Sequence, residues 1–341
     1  MQSAVSGSNR TFRFGMGSFR FLLSFLVVAS HTWVNMVHGY AAYAVWAFYV
    51  LSGYLMTLVL REKYGFSVEG LLRYVHNRVV RIYPSYYACL AIGVLTVIIA
   101  HKHHFDTTSL NPQFYNPTVE GWLNPLTLLS FFPTTGLPVA VSGALATEVT
   151  AYLFLPLMAS SPIIAVLFIV ISFTYNLAYG LGLDSFAIRY SSFSTCLLAF
   201  AWGSLSCHFS GRMTRIRAPM LSLSVWMIFS GSIVYFPYLP WTYGLYISLP
   251  ISSWVVISLV NRKSTTLDRF LGDMSYPVYL LHTIAYAFMA MYFGKIGSFE
   301  TFIMTLIVTV MMSFITLYII DKPMMALRWS TMPKFSSVLK L

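Results

Sequence analysis

The chain of 341 residues is 57% hydrophobic and 9% charged, with a mean hydropathy of +0.71, which excludes an ordinary soluble domain and predicts an integral membrane protein. The net charge of +11 would suit nucleic acid, but the basic residues are spread over several short loops with no soluble platform, so nucleic-acid binding is not expected. Cys89, Cys196 and Cys207 form no CxxC pair, so neither a disulfide framework nor a thiolate metal site is expected.

Windows of about 20 apolar residues predict an all-α polytopic membrane protein with about ten transmembrane helices. They lie near 19–37, 40–60, 83–100, 138–158, 162–179, 187–206, 220–236, 242–260, 276–293 and 299–320. Residues 1–18 read as a cytoplasmic N-terminal segment, 19–323 as the transmembrane domain and 324–341 as a cytoplasmic tail. With that orientation every Lys and Arg except Lys102, Arg189 and Lys295 falls on or near the cytoplasmic side. This positive-inside bias accounts for the charge.

The first span opens after Arg10 and Arg13, which superficially resembles a signal peptide with Ala29 and Ser30 near a cleavage point. The apolar stretch continues to Val37, so an uncleaved helix is expected. Within it, Arg20 and His31 are eleven positions apart, within roughly 20° of one helix face and about 16 Å along the axis. A cation at the membrane surface and an imidazole near mid-depth would line one channel, and ionisable groups inside lipid are functional candidates.

The second span carries Ser52 and Gly53 in its middle, a notch for helix packing or for close approach of a ligand. Between the second and third spans, Leu71, Leu72, Val75, Val79 and Ile82 recur at helical spacing beside Arg73, Arg78 and Arg81. This pattern predicts a cytoplasmic interfacial helix. Arg78 and Arg81 share a face, where their guanidinium forks suit either a phosphate-bearing ligand or anionic lipid headgroups.

Residues 101–137 form the longest outer segment. Its His101, His103 and His104 have no partner ligands at metal-site spacing, so a solvated loop, capable of covering an outward-facing acceptor site, is expected rather than a metal site. The fourth span holds Glu148, an acid that must be paired or protonated; His31 or an arginine is the expected partner, and Tyr152 shares its face. Arg212, Arg215 and Arg217 fit the topology alone. In the ninth span Ser275, Tyr279 and His282 recur at spacings of four and three, which sets hydroxyl, phenol and imidazole on one face.

Together these segments resemble the acyltransferase family 3 membrane proteins. The family's Arg, ten residues, His pattern is matched by Arg20 and His31, and its FFVLSGFL-like second helix by FYVLSGYL from Phe48 to Leu55. Its Arg-x-x-Arg before an aromatic and Pro is matched by Arg78, Arg81 and Pro84, and its Gly-x-x-Ser-Tyr-x-x-Tyr-Leu-x-His signature by Gly272, Ser275, Tyr276, Tyr279 and His282. The family's Glu-containing fourth-helix element is matched in part, by Glu148 and Tyr152 with Ala144, Leu145 and Ala146 upstream.

The resemblance implies transfer of an acyl group, commonly acetyl, from cytoplasmic acyl-CoA to a hydroxyl of a surface or lipid-linked glycan. Acetyl-CoA would be the donor, with no metal required. Arg20, Arg78 and Arg81 would hold the donor's phosphates. His31 would act as general base, because an imidazole titrates near working pH, with Glu148 as a neighbouring catalytic carboxylate. Ser275, Tyr279 and His282 would contact substrate. A proton-coupled transporter of a small or lipid-linked solute is the alternative that the same intramembrane His and Glu residues leave open. Against it stand the paired interfacial arginines and the lack of a detectable inverted repeat.

Overall fold

A computed structural model describes residues 14–33 and 39–328. Most of the predicted N-terminal segment, the last residues of the first predicted span and most of the predicted tail therefore lie outside the described residues. Among the described residues the protein is all-α. In chain order the α-helices are α1 (Met16–Thr32), α2 (Tyr40–Val59), α3 (Val68–Lys102), α4 (Leu123–Thr127), α5 (Ser142–Ser160), α6 (Pro162–Tyr179) and α7 (Phe186–Ser191). They continue with α8 (Phe193–Phe209), α9 (Pro219–Gly231), α10 (Gly244–Leu259), α11 (Thr266–Phe293), α12 (Phe299–Thr316) and α13 (Lys322–Ala326).

Helices lie over all ten predicted segments. Five stretches are long and apolar enough to cross a membrane by themselves: Tyr40–Tyr64, Val68–Lys102, Ser142–Ser160, Pro162–Tyr179 and Phe299–Ala326. The protein's membrane character rests on these. The α1, α8, α9 and α10 segments are apolar but shorter, and α11 carries the polar residues of the ninth-span motif.

The predicted interfacial helix is not a separate element. It is the first half of α3, which runs unbroken for 35 residues through Pro84. A proline removes one backbone donor and usually marks a break, but within a packed bundle neighbours compensate. Tyr276 Oη donates to the Ile82 carbonyl at 2.8 Å, and Ser85 Oγ donates to Asp321 Oδ1 at 2.6 Å, so α11 and the π-turn Leu317–Asp321 brace both sides of the proline. The predicted sixth span is likewise split at Ser192 into α7 and α8. There Arg189, expected towards the outside, is fully buried, and it donates to Ser185 Oγ, Tyr246 Oη and the carbonyls of Gly182 and Trp241.

Two glycine contacts set the frame of the bundle. A Cβ on Gly17 of α1 would lie 1.9 Å from the Asp268 carbonyl oxygen of α11, and one on Gly53 of α2 would lie 2.1 Å from the Phe200 carbonyl of α8. Backbones this close need a residue without a side chain, the usual device where apolar burial cannot drive helix association in lipid. Of the two readings of the Ser52–Gly53 notch, Gly53 takes the packing role, while Ser52 faces a cavity.

The α1–α11 pair is further locked at its lower end. The N-cap of α1 is Gly15, whose backbone has no side-chain cap of its own. Asp268 supplies it from α11: Oδ1 accepts from Gly15 N at 3.1 Å, Ser18 N at 2.7 Å and Ser18 Oγ at 2.7 Å. A carboxylate on otherwise unpaired N–H groups also meets the positive end of the helix dipole. Nearly two turns higher, Ser24 Oγ donates to the Ser275 carbonyl at 2.8 Å. These contacts fix the rotation and register of α1 on α11, and with them which side chains meet at the far end.

Candidate functional site

Following α1 upwards from the Asp268 cap, Arg20 comes first. It lines a cavity of about 130 Å³ together with Arg78 and Arg81 from α3, Ser52 from α2, Glu148 and Tyr152 from α5, and Ser275 and Tyr279 from α11. Residues far apart in sequence converge here because α3, braced at Pro84, and α1 both pack on α11, and α2 packs on α1 and α5. Arg20 Nε and Arg78 Nε are buried without a hydrogen-bond partner among the described residues. Arg81 has Asp273 at 3.9 Å, a half-exposed carboxylate. Buried N–H donors are ordinarily paired by protein, water or ligand, so three guanidinium groups with so little carboxylate to balance them form a pocket suited to a polyanion.

Glu148 belongs to this cavity. Its Oε1 accepts hydrogen bonds from Ser52 Oγ and Tyr152 Oη. The expected partners, His31 or an arginine, are replaced by two hydroxyls, because α5 turns Glu148 towards the middle of α2 rather than towards the end of α1. Ser52 was legible in sequence only as a small residue; its bond to Glu148 depends on α2 packing against α5. Ser275 lines the same cavity, but its hydroxyl donates to the Gly272 carbonyl at 2.7 Å and is thus engaged within its own helix.

His31 lies in the last turn of α1, on a second cavity of about 280 Å³ at the opposite end. This one is covered by the 103–141 segment, with Asn111, Gln113, Thr134 and Leu137 among its lining. The two cavities share Val45, Tyr49, Ala144 and Tyr279. Tyr49 Oη donates to the Ala144 carbonyl at 3.2 Å and Tyr279 Oη to the Val141 carbonyl at 3.0 Å. Two phenols tied to the start of α5 thus form a thin partition between the arginines and His31.

Behind His31 stands His282. His31 Nδ1 and His282 Nε2 are 2.9 Å apart, and the rings stack with centroids 5.2 Å apart at 20°. The protonation pattern follows from the next contact: His282 Nδ1 is 2.7 Å from the Tyr279 carbonyl oxygen, which can only accept. His282 therefore carries its proton on Nδ1, accepts at Nε2 from the His31 Nδ1–H, and leaves His31 Nε2 with a free lone pair. His282 is set back from both cavities. It is completely buried and lines neither cavity, because the His31 ring covers it. Sequence spacing put Ser275, Tyr279 and His282 on one face; the structure distributes them to the arginine cavity, the partition and the back of His31.

Among the described residues no cluster of three or more His, Cys, Asp or Glu side chains is placed to hold a metal ion. His101, His103 and His104 are all exposed. No curated protein and no solved structure matches the chain at a significant level. A family profile described as an acyltransferase domain, that of acyltransferase family 3, matches residues 15–321, from the N-cap of α1 to the end of the π-turn after α12. The match spans nearly the whole helical bundle, with both cavities inside it. The chain belongs to acyltransferase family 3 and is a membrane acyltransferase.

Proposed function

We propose that the protein transfers an acyl group, in the first instance acetyl, from acyl-CoA to a hydroxyl of a surface or lipid-linked glycan. In this reading it acts in a bacterial inner membrane, with the arginine end and both termini on the cytoplasmic side and about ten spans in all. The observation that carries the reading is the alignment along α1: a three-arginine cavity at one end, an oriented imidazole with a free Nε2 at the other, and Val45, Tyr49, Ala144 and Tyr279 shared between them. Phosphates of acyl-CoA pair with Arg20, Arg78 and Arg81, and the pantetheine arm carries the thioester past the phenols to His31. Membership of an acyltransferase family favours this over a carrier.

In the chemical step His31 Nε2 takes the proton of the acceptor hydroxyl while its oxygen attacks the thioester carbonyl carbon. The tetrahedral intermediate collapses with cleavage of the C–S bond, and the imidazolium returns the proton to the departing sulfur, leaving ester and free thiol. His282 holds the His31 ring and tautomer and shares the transient positive charge. The hydroxyl of Tyr279, at the partition, can donate to a developing oxyanion by giving up its bond to the Val141 carbonyl. Glu148 orients Ser52 and Tyr152 beside the arginines. The test is release of CoA from radiolabelled acetyl-CoA by membranes containing the protein, with label appearing in glycan. His31→Ala membranes with equal protein content should do neither. Solute uptake without thioester consumption would overturn the assignment.

A further inference from the structure

The cavity at His31 differs in character from the arginine cavity. Among the described residues no Lys, Arg, Asp or Glu lines it. The Gln113 amide and the Thr134 and Tyr190 hydroxyls line it and make no hydrogen bond within the protein among the described residues, and Asn111 uses only its carbonyl oxygen, on Gln113 N at 3.0 Å. Amides and hydroxyls both donate and accept, as a sugar hydroxyl does. The phenol rings of Tyr49, Tyr190 and Tyr279 add aromatic surface against which the C–H face of a ring can lie. At about 280 Å³ the space is near the lower edge of small-molecule sites, which run from about 300 to 1,000 Å³. The nearby cation, Arg189, is turned away, its guanidinium donating to Ser185, Tyr246, Gly182 and Trp241.

We infer that this cavity admits an uncharged, polyhydroxylated ring, a neutral sugar unit, and discriminates against sugars bearing a carboxylate or an ammonium group on that unit. The inference rests on reading the cavity as the acceptor's. An ionised group entering it loses water and finds no opposite charge, a penalty that a neutral ring does not meet. Gln113 is exposed at the rim and is the position at which charge preference can be rewritten.

The experiment measures binding, apart from chemistry, to the full-length chain in lipid nanodiscs. The ligands are 4-nitrophenyl glycosides of a panel of neutral hexoses and deoxyhexoses, and the corresponding uronides and amino sugars. At least one neutral glycoside should bind at millimolar concentration, with its uronide and its amino sugar at least about ten-fold weaker, and Gln113→Glu should narrow the gap for the amino sugar alone. A uronide or amino sugar binding within ten-fold of the neutral ligand overturns the inference, as does binding of none of the neutral panel or an unchanged preference in Gln113→Glu. Loss of acyl transfer with neutral binding intact would count against the proposed reaction and leave this inference standing; charge-blind binding by an active enzyme would do the reverse.

Discussion

Removing His282 tests the histidine pair directly. His282 touches neither cavity, so a substitution there acts on the reaction only through His31. In His282→Leu the His31 Nδ1–H loses its 2.9 Å acceptor. A polar group left unpaired in an interior costs about 1–3 kcal/mol, which corresponds to roughly 5- to 150-fold in kcat/KM if the ring must be re-ordered in each turnover. Removing the proposed base, in His31→Ala, should cost on the order of 10²- to 10⁴-fold. His282→Gln, whose side-chain carbonyl can still accept, should recover part of the loss. The decisive variant combines both changes: because His282 works through His31, the double variant should be no slower than His31→Ala alone, instead of showing the product of the two effects. Thiol release from acetyl-CoA in nanodiscs, with donor KM measured separately, reads all four variants beside wild type. Multiplicative losses in the double variant, or an unimpaired His282→Leu beside an inactive His31→Ala, would refute the coupling.

The arginine cavity predicts a different signature. Arg78→Ala should raise the acyl-CoA KM by roughly 10- to 150-fold, the range for loss of a charged hydrogen bond, while leaving turnover of a phosphate-free thioester such as an N-acetylcysteamine ester unaffected; equal damage to both donors would remove the phosphate role. Gly17→Ala forces a methyl group to 1.9 Å from the Asp268 carbonyl, so α1 must shift on α11. Overpacking of this kind costs about 1–3 kcal/mol or more, and a lowered melting temperature with loss of activity is expected. Asp268 predicts a pH dependence. Burial works to raise its pKa, but hydrogen bonds from Ser264, from Ser18 and from the backbone at the start of α1 outweigh it and hold the carboxyl below its ordinary value. The group therefore stabilises the fold above the unfolded pKa of about 3.9, and that contribution is lost as pH falls through the lower folded value. The gap in melting temperature between wild type and Asp268→Asn should be constant near neutrality and shrink below about pH 4. A gap independent of pH would remove the charge from the account.

Much of the chemistry is local and therefore legible in the chain. The Arg20–His31 spacing follows from helical periodicity, since eleven residues on an uninterrupted helix fix both the face and the rise. Arg78 and Arg81 follow by the same rule. The longest apolar runs identify membrane helices because lipid demands unbroken hydrogen-bonded segments. Pro84 and Ser192 mislead for the complementary reason. Whether a proline ends a helix, or a serine interrupts one, depends on neighbours distant in sequence, such as Tyr276 and Asp321 beside Pro84 and the Tyr246 and Trp241 partners of Arg189 near Ser192.

The linear order of residues thus determined the class of the protein, the helical content and the identities of the candidate site residues, because composition and periodicity are properties of a segment by itself. The tertiary structure alone decided their partnerships. Glu148 with Ser52, His31 with His282, and two cavities meeting at Tyr49 and Tyr279 all arise from how α1, α2, α5 and α11 rotate against one another, whereas Glu148 with Tyr152 is a pair four apart on α5 that helical periodicity already sets. That rotation is set by backbone approaches at Gly17 and Gly53 and by the Asp268 cap, contacts between residues up to 253 positions apart that no local pattern encodes.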